Sequence, residues 1–172
     1  MQQSILIDDK TIKHLEIGAG CGNFGKIFFP QCYLTDKDDN LKKNCDVCYI
    51  DYFCDACELP WSDNRFSKII ICNPYGYGFR DDESTEKLMN EVIRVLSNDS
   101  EILLLCTKRN PYCYPDRVNK RLTTYTRDRL NIKLNISEQA INSKQLYPNY
   151  IFRTLLGDET IPEHKVTIHV SK

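Results

Sequence analysis

Apolar positions along this chain come in short bursts separated by turn residues. Residues 13–17 read as a strand running into the glycine-rich turn Gly18-Ala19-Gly20-Cys21-Gly22. A short helix near 23–29 follows and is stopped by Pro30. Residues 32–35, ending in Asp36, read as a second strand. Residues 37–44 are polar, a helical turn or a loop, and 47–53 read as a third strand. Residues 62–66 form a turn. Residues 68–72 are a continuous apolar strand, followed by Asn73-Pro74-Tyr75-Gly76-Tyr77-Gly78-Phe79. A helix capped by Ser84 is predicted through about Leu96, because Leu88, Val92, Val95 and Leu96 recur at helical spacing with Glu86, Glu91 and Arg94 between them. Ser97-Asn98-Asp99 ends it, and 101–107 read as another buried strand. Residues 115–130 are polar and basic and predicted helical, while 131–148 carry no pattern that places them. Residues 149–156 and 165–170 read as two strands joined across 157–162, a terminal antiparallel hairpin.

Strands alternating with helices or loops over the first two-thirds predict a parallel sheet covered on both faces. At 172 residues the chain is most simply one domain, 1–172, able to bury a core of its own. Its net charge of −1 gives no global pull toward nucleic acid or membrane. Residues 1–9 lack the basic region and long apolar region of a secretory leader, and the best apolar run, 102–106, has the length of a buried strand. The nine cysteines are an odd number, scattered through strand-like stretches. They are expected to be free thiols behaving as small hydrophobes in a reducing, cytoplasmic protein.

Chemistry concentrates at the ends of the predicted strands. Glycines at alternate positions let the backbone turn sharply or approach a ligand, and the helix start that follows offers free N–H groups. Asp36 has two acceptor oxygens suited to a cis-diol, or is a solvated turn carboxylate beside Asp38 and Asp39. Asp55 either accepts hydrogen bonds from a ligand or forms an Asx-type turn. Trp61 is expected in the core. Gly20-x-Gly22-x-x-Gly25 is formally a dinucleotide fingerprint. Glu16, however, stands where a dinucleotide site prefers an apolar residue, and that reading leaves Asp55-Ala56 and Asn73-Pro74-Tyr75 without a role. Cys45-x-x-Cys48 and Cys54-x-x-Cys57 have zinc-like spacing but flank a predicted strand, which would scatter their sulfurs over both faces, so no metal site is expected.

Taken in order, Glu16-x-Gly18-x-Gly20-x-Gly22, Asp36, Asp55-Ala56-x-x-Leu59-Pro60 and Asn73-Pro74-Tyr75 resemble the class I S-adenosylmethionine (SAM)-dependent methyltransferases. The resemblance spans about residues 13–107. It implies a doubly wound, mostly parallel seven-stranded sheet of Rossmann-like type with a C-terminal antiparallel hairpin. It also implies SAM as cofactor. Gly18, Gly20 and Gly22 would approach its amino-acid and ribose parts, Glu16 would accept near the amino group, Asp36 would take the ribose diol, and Asp55 and Ala56 the adenine. Asn73, Pro74 and Tyr75 are the implied catalytic turn, with Asn73 also implied in cofactor binding. In family members that methylate planar nitrogens, an Asp/Asn side chain and a backbone carbonyl hold the acceptor amine and an aromatic ring stacks on it. Here one proline is present, and Tyr77 or Phe79 could supply the ring, so nitrogen and oxygen acceptors both stay open.

Between Lys108 and Lys133 eight basic residues (Lys108, Arg109, Arg117, Lys120, Arg121, Arg127, Arg129, Lys133) face two acids, Asp116 and Asp128, with Tyr112, Tyr114 and Tyr125 interleaved. This segment is a solvated helix face or a surface for nucleic acid or another acidic partner. Residues 1–12 leave no room for a helical lid, so an open site is expected, suited to a macromolecular or peptide acceptor. The alternative is a non-catalytic SAM-binding partner protein.

Overall fold

The computed structural model describes residues 9–74, 77–154 and 157–172. Its elements, in chain order, are β1 (His14–Ile17), α1 (Phe24–Phe28), β2 (Cys32–Asp36), α2 (Leu41–Asn44), β3 (Tyr52–Phe53), β4 (Phe66–Cys72) and α3 (Asp82–Val95). They continue with β5 (Leu96–Cys106), α4 (Pro115–Thr126), β6 (Lys133–Ala140), α5 (Ser143–Leu146), β7 (Phe152–Arg153), β8 (Glu159–Thr160) and β9 (His164–Ser171). Seven strands form one sheet in the order β3-β2-β1-β4-β5-β9-β6. The first five are parallel; β9 runs antiparallel between β5 and β6.

Alternation along the strands divides the interior into two layers. Leu15, Ile17, Ile69, Ile71, Ile102, Leu104, Val166 and Ile168 face α3 and α4 and join Trp61, Leu88, Val92 and Leu122 in the main core. Leu34, Ile70, Leu103 and Leu105 face the other way and meet Phe24, Tyr147 and Phe152. Trp61 is fully buried, in the core as expected. Arg94 fastens its segment by donating to the carbonyls of Leu59 (2.9 Å) and Trp61 (2.7 Å).

Three sequence expectations are corrected, and one stretch that the sequence left unplaced is assigned. α3 is capped by Asp81, whose carboxylate accepts from the Ser84 N–H at 2.7 Å; Ser84 lies inside the helix. The third strand shrinks to two residues because the Asp51 carboxylate accepts the Leu34 N–H at 2.8 Å, where a longer strand would offer a carbonyl. The patternless 131–148 stretch contains β6, which is exposed on one side and so lacks a buried-strand signature. β6, with β5, is the pairing partner of β9, whereas the 149–160 segment closes on itself as the small antiparallel pair β7–β8. Among the described residues no helix is long and apolar enough to cross a membrane.

Candidate functional site

The strand order reverses between β1 and β4, and a crevice beyond their carboxyl ends is where α/β sheets bind ligands. β1 delivers the glycine turn to this point. Gly18 and Gly20 have φ of +67° and +59°, a conformation that disfavours side chains. The space around Gly20 is open, with nothing within 4 Å of where a Cβ would stand. The Gly20 N–H donates to Asp36 Oδ2 at 3.0 Å, and the Asp38 N–H to Asp36 Oδ1 at 3.0 Å. Asp36 therefore sits beside the turn with lone pairs to offer. The end of β3 is drawn to the same place, since the Cys54 N–H donates to the Asp36 carbonyl at 2.9 Å.

Glu16 points the other way from Leu15 and Ile17 and is 1% exposed. It accepts the Gly25 N–H at 2.6 Å and so fixes the first turn of α1. Burial pushes its carboxyl up to about 7, against the opposing pull of the Gly25 N–H and the Cys72 thiol. Asp55 is exposed and accepts the Cys57 N–H at 2.8 Å, the Asx-turn arrangement; Ala56 packs against the main core.

Two tyrosines that the sequence did not single out as cover lie on the turn. Tyr77 donates to the Ile17 carbonyl at 3.1 Å, and a methyl group on Gly18 would overlap its hydroxyl. Its phenol is held well above its ordinary range by burial first, then by Cys72, Asp36 and Glu16 nearby. Tyr150 accepts the Asn23 N–H at 3.2 Å and stands 2.8 Å from a Cβ position on Gly22. Tyr150 is carried by the 141–154 stretch, which packs on α1 through Phe24–Tyr147 and Phe24–Tyr150 edge contacts at 4.8 and 5.3 Å. Cover over Gly22 thus comes from the connection between β6 and β9, while Gly20 stays open. Sequence offered only the spacing of Tyr147, Tyr150 and Phe152 as a signal.

At the end of β4, Asn73 adopts φ +48°. Its Oδ1 accepts from Thr107 Oγ1 (3.1 Å), the Thr107 N–H (3.4 Å), Asn110 Nδ2 (3.0 Å) and, more distantly, the Cys113 thiol (3.8 Å). Asn110 Nδ2 also donates to the Pro74 carbonyl at 2.7 Å, and Asn110 Oδ1 accepts the Tyr112 N–H at 2.9 Å. Asn110 is 3% exposed. The loop after β5 is thus buttoned onto Asn73-Pro74 by a residue the sequence analysis passed over. Phe79 is in the core and presents no ring to a ligand, and Tyr75 lies outside the described residues.

The basic segment is partly structural. Arg121 pairs with Asp82 at 2.6 Å, Arg129 pairs with Glu86, and Arg117 reaches the Arg80 carbonyl at 3.4 Å; these contacts dock α4 on α3. Cys21 and Cys45 are joined in a disulfide, which corrects the all-free reading and removes Cys45 from the paired Cys-x-x-Cys set; the other seven cysteines are free. Among the described residues no three His, Cys, Asp or Glu side chains converge as a metal set.

No protein-family model matches the chain, and no curated protein does. Solved structures do. A SAM-dependent methyltransferase from Archaeoglobus fulgidus superposes with a TM-score of 0.58 at 14% identity, covering 92% of this chain and 86% of that one. The plantazolicin methyltransferase, bound to a pentazolic desmethyl analogue and S-adenosylhomocysteine (SAH), gives 0.54 at 13% identity over 94% and 77% of the two chains. A phosphoethanolamine N-methyltransferase of Haemonchus contortus in complex with SAM gives 0.54 at 12% identity over 92% and 48%. The sheet order, the glycine turn at its reversal point and these superpositions give this chain the Rossmann-like fold of the class I SAM-dependent methyltransferases.

Proposed function

We propose that residues 1–172 act as one SAM-dependent methyltransferase domain. The observation that carries this reading is the open, left-handed Gly20 beside the Asp36 carboxylate at the reversal point of the sheet. That cradle fits a ligand with a ribose diol, since backbone can approach it closely and a carboxylate is at hand. In this reading Gly18, Gly20 and Gly22 form the floor, Asp36 receives the ribose, and Asp55 with Ala56 flanks the adenine. Glu16 holds α1 in place from below, while Asn73, Pro74 and Tyr75 form the acceptor turn. Bound SAM supplies a methyl group activated by its sulfonium sulfur. The chain's own work is positioning the acceptor and excluding water, and Tyr77 and Tyr150 are placed to do the latter.

The acceptor is a macromolecule or peptide. The exposed basic residues Arg109, Lys120 and Arg127 support an acidic one, and nucleic acid reaching the same 108–133 segment meets fewer free cations than the sequence promises, because Arg121 and Arg129 are paired. The seven free cysteines favour the cytoplasm, with exposed Cys21 open to reductant. A second reading, a non-catalytic binding protein, draws on Tyr77 and Tyr150 covering two of the three turn glycines.

Calorimetric titration with SAH tests the cofactor. One site per chain is expected, with affinity reduced roughly 10- to 150-fold in Asp36→Ala, the loss of hydrogen bonds worth about 1.5–3 kcal/mol. NAD run alongside is expected not to bind. Absence of SAH binding by the folded protein defeats the reading; binding without methyl transfer to any acceptor pool selects the second one.

A further inference from the structure

We infer that Tyr77 occupies part of the cofactor's own seat, the stretch of the crevice over Ile17 and Gly18, and that SAM binds by displacing it. The inference rests on the methyltransferase reading above and deepens it. The ribose half of the seat stands open, while the amino-acid half is held shut by a side chain of the same protein.

The sheet order decides which half is which. Asp36 ends β2, Gly18 follows β1 and Asn73 follows β4, and these strands are neighbours in the order β2-β1-β4. In the methyltransferase reading the ribose lies at Asp36 and the acceptor at the end of β4. The sulfonium between them, with the amino-acid arm it carries, therefore passes over the end of β1. Gly20, beside Asp36, has nothing within 4 Å of a Cβ position. Gly18 is different. A Cβ there would stand 2.3 Å from the Tyr77 hydroxyl oxygen, 2.9 Å from Cζ and 3.2 Å from Cε1. The phenol end of the ring thus lies directly on the glycine, in the space that the missing side chain leaves. Its hydroxyl donates to the Ile17 carbonyl at 3.1 Å, so the last backbone acceptor of β1 is taken as well.

Tyr77 is presented from a fixed support. Just after it, Thr85 Oγ1 donates to the Gly78 carbonyl at 3.2 Å, and Phe79 is buried in the main core. Tyr77 itself packs against that core. Its hydroxyl feels the Asp36 carboxylate from the β2 side and the Cys72 thiol from the β4 side, which agrees with a place inside the crevice.

Two consequences follow from the chemistry of the contact. A ligand that takes the ring's place has to give the Ile17 carbonyl a new donor, because an acceptor stripped of its hydrogen bond under cover is costly. The α-ammonium group of SAM and SAH is such a donor. 5′-Methylthioadenosine keeps the adenine, the ribose and a thioether but has no amino-acid arm, so it neither needs the space nor replaces the bond. The second consequence concerns affinity. When only a fraction of the protein is competent to bind, apparent affinity falls by that fraction. Weakening the hold of Tyr77 therefore strengthens binding of ligands that need the space over Gly18, and of no others. The part of Tyr77 in excluding water is then played from its displaced position.

The test is calorimetric titration of the full chain with SAH and, separately, with 5′-methylthioadenosine. The parent is compared with Tyr77→Phe and Tyr77→Ala. Tyr77→Phe keeps the ring and its packing and removes the hydroxyl. It is expected to bind SAH roughly 2- to 12-fold more tightly, the scale of one neutral hydrogen bond. Tyr77→Ala removes the ring too and is expected to bind SAH more tightly still. Affinity for 5′-methylthioadenosine is expected to be unchanged in both. A direct readout comes from 19F NMR of protein carrying 3-fluorotyrosine, in which the Tyr77 signal is the one missing from Tyr77→Phe. That signal is expected to move on addition of SAH and to stay in place with 5′-methylthioadenosine. Should Tyr77→Ala fail to fold, Tyr77→Phe and the 19F signal decide. Equal or weaker SAH binding by Tyr77→Phe overturns the inference. So does a Tyr77 signal that holds still at saturating SAH, or a gain for 5′-methylthioadenosine as large as that for SAH. No SAH binding by the parent or either variant, with all of them folded, instead removes the methyltransferase reading on which the inference rests.

Discussion

Glu16 shows how far a single residue's environment can depart from what its place in a motif suggests. At the end of β1 it alternates into the layer beneath α1, and it is nearly without solvent. Burial makes its ionised form costly, so its folded-state pKa rises from 4.5 to about 7. The sign for stability follows. The folded protein holds this proton more tightly than the unfolded chain, so the burial penalty is absent below pH 4.5, grows as pH rises, and is complete above about 7. Over that window Glu16 should remove on the order of 3 kcal/mol of stability. Glu16→Gln can still accept the Gly25 N–H and carries no charge. Urea unfolding at pH 5 and pH 8 is expected to show the parent losing stability across the interval and the Gln variant losing less. Equal slopes would mean that Glu16 stays ionised throughout, with water reaching it.

At the level of elements, the parts of the fold that were legible are those where one local signal had no competitor. The glycine turn, the apolar runs of β1, β4 and β5, and the helical spacing of Leu88, Val92 and Val95 each found their element. What was not legible depended on partners distant in sequence. Asn110 is an ordinary loop residue until β4 and β5 bring it against Asn73 and Pro74, more than thirty residues away. Tyr150 becomes cover for Gly22 only because the 141–154 stretch folds back over α1. β6 buries only Leu134 and Ile136, and those partly, so its alternation is short and weak. The fold-back has its own small pair, β7–β8, and is held by aromatic contacts to α1 and by Tyr147 and Phe152 packing on the second face of the sheet. Removing one anchor should loosen that unit alone. In Tyr150→Ala, hydrogen exchange is expected to quicken across 143–153 and in the first turn of α1, with β1, β4 and β5 unchanged. Slow exchange retained in 143–153 would show that Phe24, Tyr147 and Phe152 suffice to hold the segment down.

For the whole molecule, the Cys21–Cys45 bridge is the feature that couples stability to the site. Cys21 lies inside the glycine turn, between Gly20 and Gly22, and Cys45 follows α2, so the bond ties the ligand-facing turn to an outer segment. Residues 45–51 are mostly exposed, and Val47 shows more than half its surface. The link spans 24 residues of sequence. A closed loop of that size restrains the unfolded chain by about 3 kcal/mol in the chain-entropy account. Cys45→Ser is therefore expected to lower the thermal midpoint by several degrees, and reductant to lower the parent to the same value while leaving the variant unmoved. The consequence for function is separate from the consequence for stability. Gly20 keeps its conformation through its own N–H bond to Asp36, which does not involve sulfur. SAH affinity, measured well below the melting range, is expected to be nearly the same in Cys45→Ser and the parent. A variant that melts lower yet binds equally would place the bridge in the scaffold. A tenfold loss of affinity on reduction, with the fold intact, would instead make the bridge part of the ligand cradle and give the turn a redox-dependent shape.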